Sequence, residues 1–129
     1  MSFKAVLEIS GKKYRVLHFS YSLNQNIDAF GRPSSGVHGG TITMEVESTD
    51  NSALAELACD PFKHVDGKVT FSKRDSEQKM KEMTWKEGYL VNYTEAFTNL
   101  GESPMTEHFT FSAKEIKMGN AEHKNEWPV

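Results

Sequence analysis

The sequence predicts a mainly β fold: a small closed barrel or sandwich that carries one short helix. Three observations predict it. Apolar residues recur with a period of two over most of the chain. One Ala- and Leu-rich stretch breaks that rhythm. With 129 residues, 37% hydrophobic and 26% charged, the chain is globular and large enough to bury a core as one domain, 1–129.

The elements follow in order. Phe3 to Ile9 and Lys13 to Leu23 read as two strands joined by Ser10-Gly11-Lys12, a hairpin connection. In the second strand Tyr14, Val16 and His18 alternate with Arg15, Leu17, Phe19 and Tyr21, so apolar residues fall on both faces. Such a strand is expected to be buried on two sides or to meet another subunit. Ile42, Met44 and Val46 alternate with Thr43, Glu45 and Glu47, the pattern of a half-buried strand. Asp50 to Cys59 opens with capping residues and predicts a helix over about 51–59, stopped at Asp60-Pro61. Val69 and Phe71 then share one strand face, as do Tyr89, Val91, Tyr93 and Phe97. Phe109, Phe111 and Ala113 share another, but Ile116 and Met118 fall on the opposite parity. That slip predicts a bulge, or a strand passing between two packing environments. The tail, 119–129, is polar and shows no strand pattern.

Between the second and third strands lies a long extended loop, about 24–40. Its second half reads Gly31-Arg32-Pro33-Ser34-Ser35-Gly36-Val37-His38-Gly39-Gly40. Gly permits backbone angles that other residues avoid, and Pro fixes φ and removes a donor. A connection of this length within a compact domain is usually functional or disordered.

Several function classes are disfavoured. Lys+Arg 15 against Asp+Glu 18 gives a net charge of -3, with no general electrostatic reason to bind nucleic acid. A single cysteine, Cys59, excludes an internal disulfide, and its expected place is as a small buried apolar residue. The N-terminus shows no apolar signal region and no run is long enough to span a membrane. The expectation is a cytoplasmic protein that leaves the cell, if at all, without a signal peptide.

No catalytic set stands out, and no cofactor or metal is predicted. Gly31-x-x-x-x-Gly36 is followed by Val37-His38 where a phosphate loop needs Lys and Ser/Thr. Ser34 and Ser35 lack a nucleophile elbow and read as turn residues. None of the five histidines has the spacing that puts two metal ligands on one helix face. Glu122-His123 with Glu126 is the nearest metal-like cluster, and a solvated tail explains it better. His18 and His108 lie in strand patterns, as packed or interface residues. Ser72 to Lys79 mixes charge signs and reads as an exposed turn or a rim against a neighbour. Asn92-Tyr93-Thr94 fits a glycosylation sequon but lies within a strand.

Phe3-Lys4-Ala5-Val6-Leu7, Gly31 to Val37, Gly39-Gly40, Lys117 to His123 and Asn125-Glu126-Trp127-Pro128-Val129 together resemble the TssD (Hcp-type) tube proteins of Bacteroidetes type VI secretion systems. The resemblance covers essentially the whole chain. It implies an Hcp-like β-barrel of two packed sheets with a helix on its flank. It implies six-membered rings that stack into a hollow tube, which a contractile sheath ejects. Implied partners are the chain itself, sheath, spike and baseplate proteins, and effector cargo in the lumen. No enzyme activity, nucleic acid or membrane insertion belongs to such a subunit. The expected oligomer or stacking contacts are Gly31, Arg32, Pro33, Ser34, Ser35, Gly36, Val37, His38 and Trp127. A ring closes through two different complementary faces, which two-faced strands and a reaching loop suit.

The competing reading is a monomeric β-barrel that binds a small ligand or sugar, supported by aromatics on alternating faces and a loop beside the barrel mouth. A hydrolase has almost no support.

Overall fold

The computed structural model describes residues 3–73, 79–101 and 104–125. Along these run β1 (Phe3–Ile9), β2 (Lys12–Tyr21), β3 (Asn24–Ile27), β4 (Pro33–His38), β5 (Thr41–Glu47), α1 (Ala53–Ala58), β6 (His64–Lys73), β7 (Lys79–Phe97), β8 (Met105–Met118) and β9 (Ala121–Lys124). Six strands close into an antiparallel barrel in the order β5-β2-β1-β6-β7-β8, and β8 returns to β5. Closure leaves these strands no open edge, so a single sheet supplies all walls of the core. β9 is added outside the ring, on β8. The extended segment 24–40 is itself a separate two-stranded sheet, β3-β4.

Local chemistry explains each piece. Ser10 and Gly11 both have positive φ, 51° and 78°, the two-residue turn whose twist suits a hairpin. Ile9 and Lys12 pair across it. Ile42, Met44 and Val46 of β5 are fully buried, about 1.5–3 kcal/mol each on transfer grounds. Leu7, Val69, Met83, Trp85, Phe109 and Phe111 fill the rest of the interior. The barrel is therefore packed by its own side chains rather than hollow, as expected for a small one. In α1, Leu54 and Leu57 join this core. Asn51 Oδ1 accepts the Ala53 amide at 3.0 Å and the Tyr14 hydroxyl at 2.9 Å, tying the start of the helix to the core.

The apolar alternation of three strands changes side, and each change has a structural cause. β2 carries a bulge between Val16 and His18, so Tyr14 and Val16 face inward before it and Phe19 and Tyr21 after it. The two apolar faces expected for this strand are thus one face interrupted by a bulge, with Leu17 left outside. β7 has the same device between Leu90 and Asn92. The slip expected in β8 between Ala113 and Ile116 is real. β7 switches beside it, between Trp85 and Gly88, so Gly88↔Ala113 and Trp85↔Ile116 both stay inward. Glu87, at the switch, has φ 52° and donates its amide to Asp66 Oδ1.

Two further expectations are corrected. The tail shows no strand pattern in sequence, yet Ala121–Lys124 pairs with β8 through the Gly119 turn. Its side chains lie outside the barrel, so backbone pairing forms the strand without an apolar alternation to announce it. Cys59 is exposed rather than buried, because it caps α1 on the side away from Leu54 and Leu57.

Candidate assembly surface

The segment outside the barrel is a built arm. Asp28 organises its tip. Oδ1 accepts the amides of Phe30 at 2.9 Å and Arg32 at 3.0 Å, and Oδ2 accepts Arg32 Nε at 3.3 Å. The Asp28 amide returns a bond to the Arg32 carbonyl at 2.8 Å. The bonds from the Arg32 and Phe30 amides hold the Asp28 carboxyl below its usual pKa. Gly31 supplies the positive φ, 84°, that the turn needs. The Arg32 guanidinium sits 5.5 Å above the Phe30 ring.

Ser35 organises the stem. Its Oγ accepts the Asn26 amide at 3.0 Å and donates to the Gly36 carbonyl at 2.9 Å. Gln25 Nε2 donates to the Ser35 carbonyl at 3.0 Å. His38 Nε2 lies 3.3 Å from the same hydroxyl, but the hydroxyl proton is committed to Gly36. The pair is a brace rather than a nucleophile and base. Gly31 and Arg32 thus lie in the tip, and Pro33, Ser34, Ser35, Gly36, Val37 and His38 form β4. Trp127 lies outside the described residues, as do Glu126 and most of the Ser72 to Lys79 charge run.

The arm displays apolar residues that its own barrel does not cover. Phe30 is 84% exposed, and Leu23, Ile27 and Val37 are exposed as well. A second apolar group sits at the far end of β5 and β8: Phe97 at 72%, Leu100 at 76%, and Met105. Thr41 pairs with Ser112 near the arm, whereas Glu47 pairs with Thr106 beside Met105. At ~3.4 Å per residue, six steps of β5 separate the two groups by roughly 20 Å. Exposed apolar groups of this kind mark interaction sites when they cluster. Phe30 and Leu100 could have been noticed in the sequence, since each stands beside turn-forming residues with no alternation to bury it, whereas Phe97 follows the alternation of Tyr89, Val91 and Tyr93 and is exposed all the same.

Other candidates do not converge. His18 and His108 are exposed on the outer wall, each paired in register with Glu45, and neither is packed in the core. Among the described residues no group of three or more His, Cys, Asp or Glu could hold a metal ion. No helix there is long and apolar enough to cross a membrane.

The family model for hemolysin coregulated protein Hcp (TssD) matches residues 1–128. The chain belongs to the Hcp (TssD) family. Hcp1 from Flavobacterium johnsoniae, a Bacteroidetes protein, has 45% sequence identity with it and a TM-score of 0.90, over 95% of this chain and 99% of that one. Hcp1 from Salmonella typhimurium shares the fold alone, at 15% identity and a TM-score of 0.69, over 91% of this chain and 86% of the other. So does the secreted protein Hcp3 from Pseudomonas aeruginosa, at 9% identity and 0.65, over 99% and 100%. No curated protein sequence matches the chain. The Hcp family is one of type VI secretion tube proteins and is not an enzyme family.

Proposed function

We propose that this protein, taken as one domain over 1–129, is the subunit of a type VI secretion inner tube. It assembles into hexameric rings, and the rings stack into a hollow tube that a contractile sheath ejects. Sheath, spike and baseplate proteins are its partners, and effectors travel in the lumen. It performs no chemistry of its own. It is assembled in the cytoplasm and delivered outside the cell.

The observation that carries this reading is the arm, Asn24 to His38. It is ordered by its own hydrogen bonds yet buries almost none of its apolar residues on its own barrel. A second copy of the chain can cover them. Two separate apolar groups at opposite ends of β5 suit a heterologous contact, in which one face of each subunit meets a different face of the next. Such contacts close into rings or continue into stacks. Each can be weak, because many act together.

Native mass measurement of the purified chain tests the assembly, with a six-membered ring as the expected species. Electron microscopy should show particles with a central hole. Deleting residues 24–38 should abolish stacking and leave a folded barrel. A chain that stays monomeric at high concentration would overturn the reading, and tubes that form without the arm would remove the arm from it.

A further inference from the structure

Apart from its root, the arm is held by little. β3 and β4 pack on each other and make no comparable contact with a barrel strand. The arm is therefore joined to the barrel only at its root, where Ser22-Leu23 leave β2 and, beside them, Gly39-Gly40 lead into β5. The groups that grip this root come from the opposite end of the chain.

Asn125 follows β9. Its Nδ2 donates to the Gly39 carbonyl at 3.0 Å and to the Ala113 carbonyl at 3.1 Å. Its backbone amide donates to the Lys114 carbonyl at 2.7 Å, and the Ala113 amide donates to the Gly40 carbonyl at 2.7 Å. One side chain thus joins the arm root to the barrel wall. The orientation of the amide is determined by its surroundings. Two carbonyl oxygens can only accept, so the atom between them is nitrogen, and Oδ1 points the other way. There it lies 2.9 Å from His123 Nε2. An acceptor facing that ring nitrogen requires His123 to carry its proton on Nε2.

The root is also closed sterically. A Cβ at Gly39 would collide with the Leu23 side chain and crowd the His123 ring. Gly40 has φ +96°, and a Cβ there would strike the Asn125 amide and the Ala113 carbonyl. The chain narrows to two glycines where the tail residues press on it.

We infer that Asn125, oriented by His123, is a positioning residue that fixes the direction of the assembly arm, so that β9 is a strap across the arm root. The inference rests on the reading of the arm as an assembly element only for its consequence, not for its geometry.

The test uses the full chain with spin labels on cysteines placed at Ser34 on the arm and Lys86 on the barrel, in a Cys59→Ala background. Labelled chain is diluted with unlabelled chain so that distances are within one subunit. The parent should give one narrow distance distribution. Asn125→Asp keeps the shape but sets acceptors against two carbonyls. It should broaden the distribution and speed exchange of the Ala113 amide, whose bond to the Gly40 carbonyl lies beside the two lost ones, by at least about ten-fold. Asn125→Ser removes the clamp without adding charge, and carries the test if the aspartate variant does not fold. His123→Glu, which only accepts, should broaden the distribution. His123→Gln, which can still donate, should leave it narrow.

A residue that merely stabilised the barrel would lower the melting temperature without changing the width. Unchanged width in the Asn125 variants and in His123→Glu would overturn the inference. A broadened arm with loss of rings on native mass measurement supports it. A broadened arm with rings unchanged supports it too, and removes the arm from the proposed assembly.

Discussion

The hydroxyl of Tyr93 donates a 2.6 Å hydrogen bond to Oε1 of Glu107, while Oε2 of that carboxyl has no partner among the described residues. Glu107 is 2% exposed and lies on the inner face of β8 beside Phe109. A buried carboxyl with one satisfied oxygen depends heavily on that one bond. Tyr93→Phe keeps the ring and removes the donor. It should cost about 1–3 kcal/mol, the penalty for stranding a buried polar group, read as a lower urea midpoint. In a Glu107→Gln background the same change should cost less, because the stranded group is then uncharged at every pH.

The pair also makes stability depend on pH. Burial raises the pKa of Glu107, the bond from Tyr93 opposes that rise, and the Glu95 charge adds to it. Tyr93 is pushed up by burial and by the same carboxylate. A carboxyl raised in the folded state contributes stability that is fully present below its unfolded value of 4.5 and lost as pH rises through the folded value. Asp28 has the opposite sign: its contribution is present above its unfolded value of 3.8 and lost as pH falls. Urea midpoints of Glu107→Gln should therefore decline less than the parent's from pH 4.5 towards neutrality. Asp28→Asn should flatten only the acid side.

These sites show what the sequence could and could not reveal. β5 was legible because its register with β8 is unbroken, so Ile42, Met44 and Val46 keep a strict period of two. β2 was legible as a strand but its inward face was not, because the bulge at Leu17 moves that face from Tyr14 and Val16 to Phe19 and Tyr21. Periodicity counts residues along one strand, and a bulge is a relation between two strands. The arm and β9 were missed as strands for a different reason. Asn24, Gln25 and Asn26 bury no apolar face, and backbone pairing plus the Asp28 turn give them their shape. The Gly31 to His38 segment could be singled out by composition, but the grip of Asn125 on Gly39 spans 86 positions of sequence, and no local pattern marks such a contact.

Trp85 provides a packing test. It pairs in register with Gly67, donates from Nε1 to the Val65 carbonyl at 3.2 Å, and packs 5.0 Å from the Phe111 ring. A Cβ on Gly67 would enter the indole ring, and one on Gly88 would meet its Nε1 edge. The two glycines make the slot in which the largest core side chain lies flat. Gly67→Ala should displace the indole and cost about 1–3 kcal/mol, as overpacking does. A lowered urea midpoint with altered near-ultraviolet circular dichroism checks this.

The β1–β2 turn provides a test in the other direction. Ser10 holds φ 51°, a left-handed conformation that Asn adopts more readily, and Gly11 follows at φ 78°. Ser10→Asn yields the favoured Asn-Gly pair with no change in contacts. It should raise stability by about 0.5 kcal/mol, at the low end for turn optimisation, and a small rise in melting temperature would register it.

The arm and the far apolar group can be tested against each other. If contacts between copies are heterologous, each subunit offers the Phe30 tip to one neighbour and the Leu100 end to another. Phe30→Asp and Leu100→Asp lie on exposed side chains, so each should leave barrel stability within about 0.5 kcal/mol. Each alone should form rings that do not stack, because a charge has been placed in the contact between rings. Mixed in equal amounts as preformed rings, they retain one intact pairing, the Phe30 tips of the Leu100 variant against the Leu100 ends of the Phe30 variant. The mixture should therefore form double rings and stop there, since the two outward faces of that pair are both damaged. Native mass measurement of the mixture separates the cases. A double ring that does not grow identifies the two groups as partners, and single rings in the mixture would show that the tip docks elsewhere on the neighbouring ring.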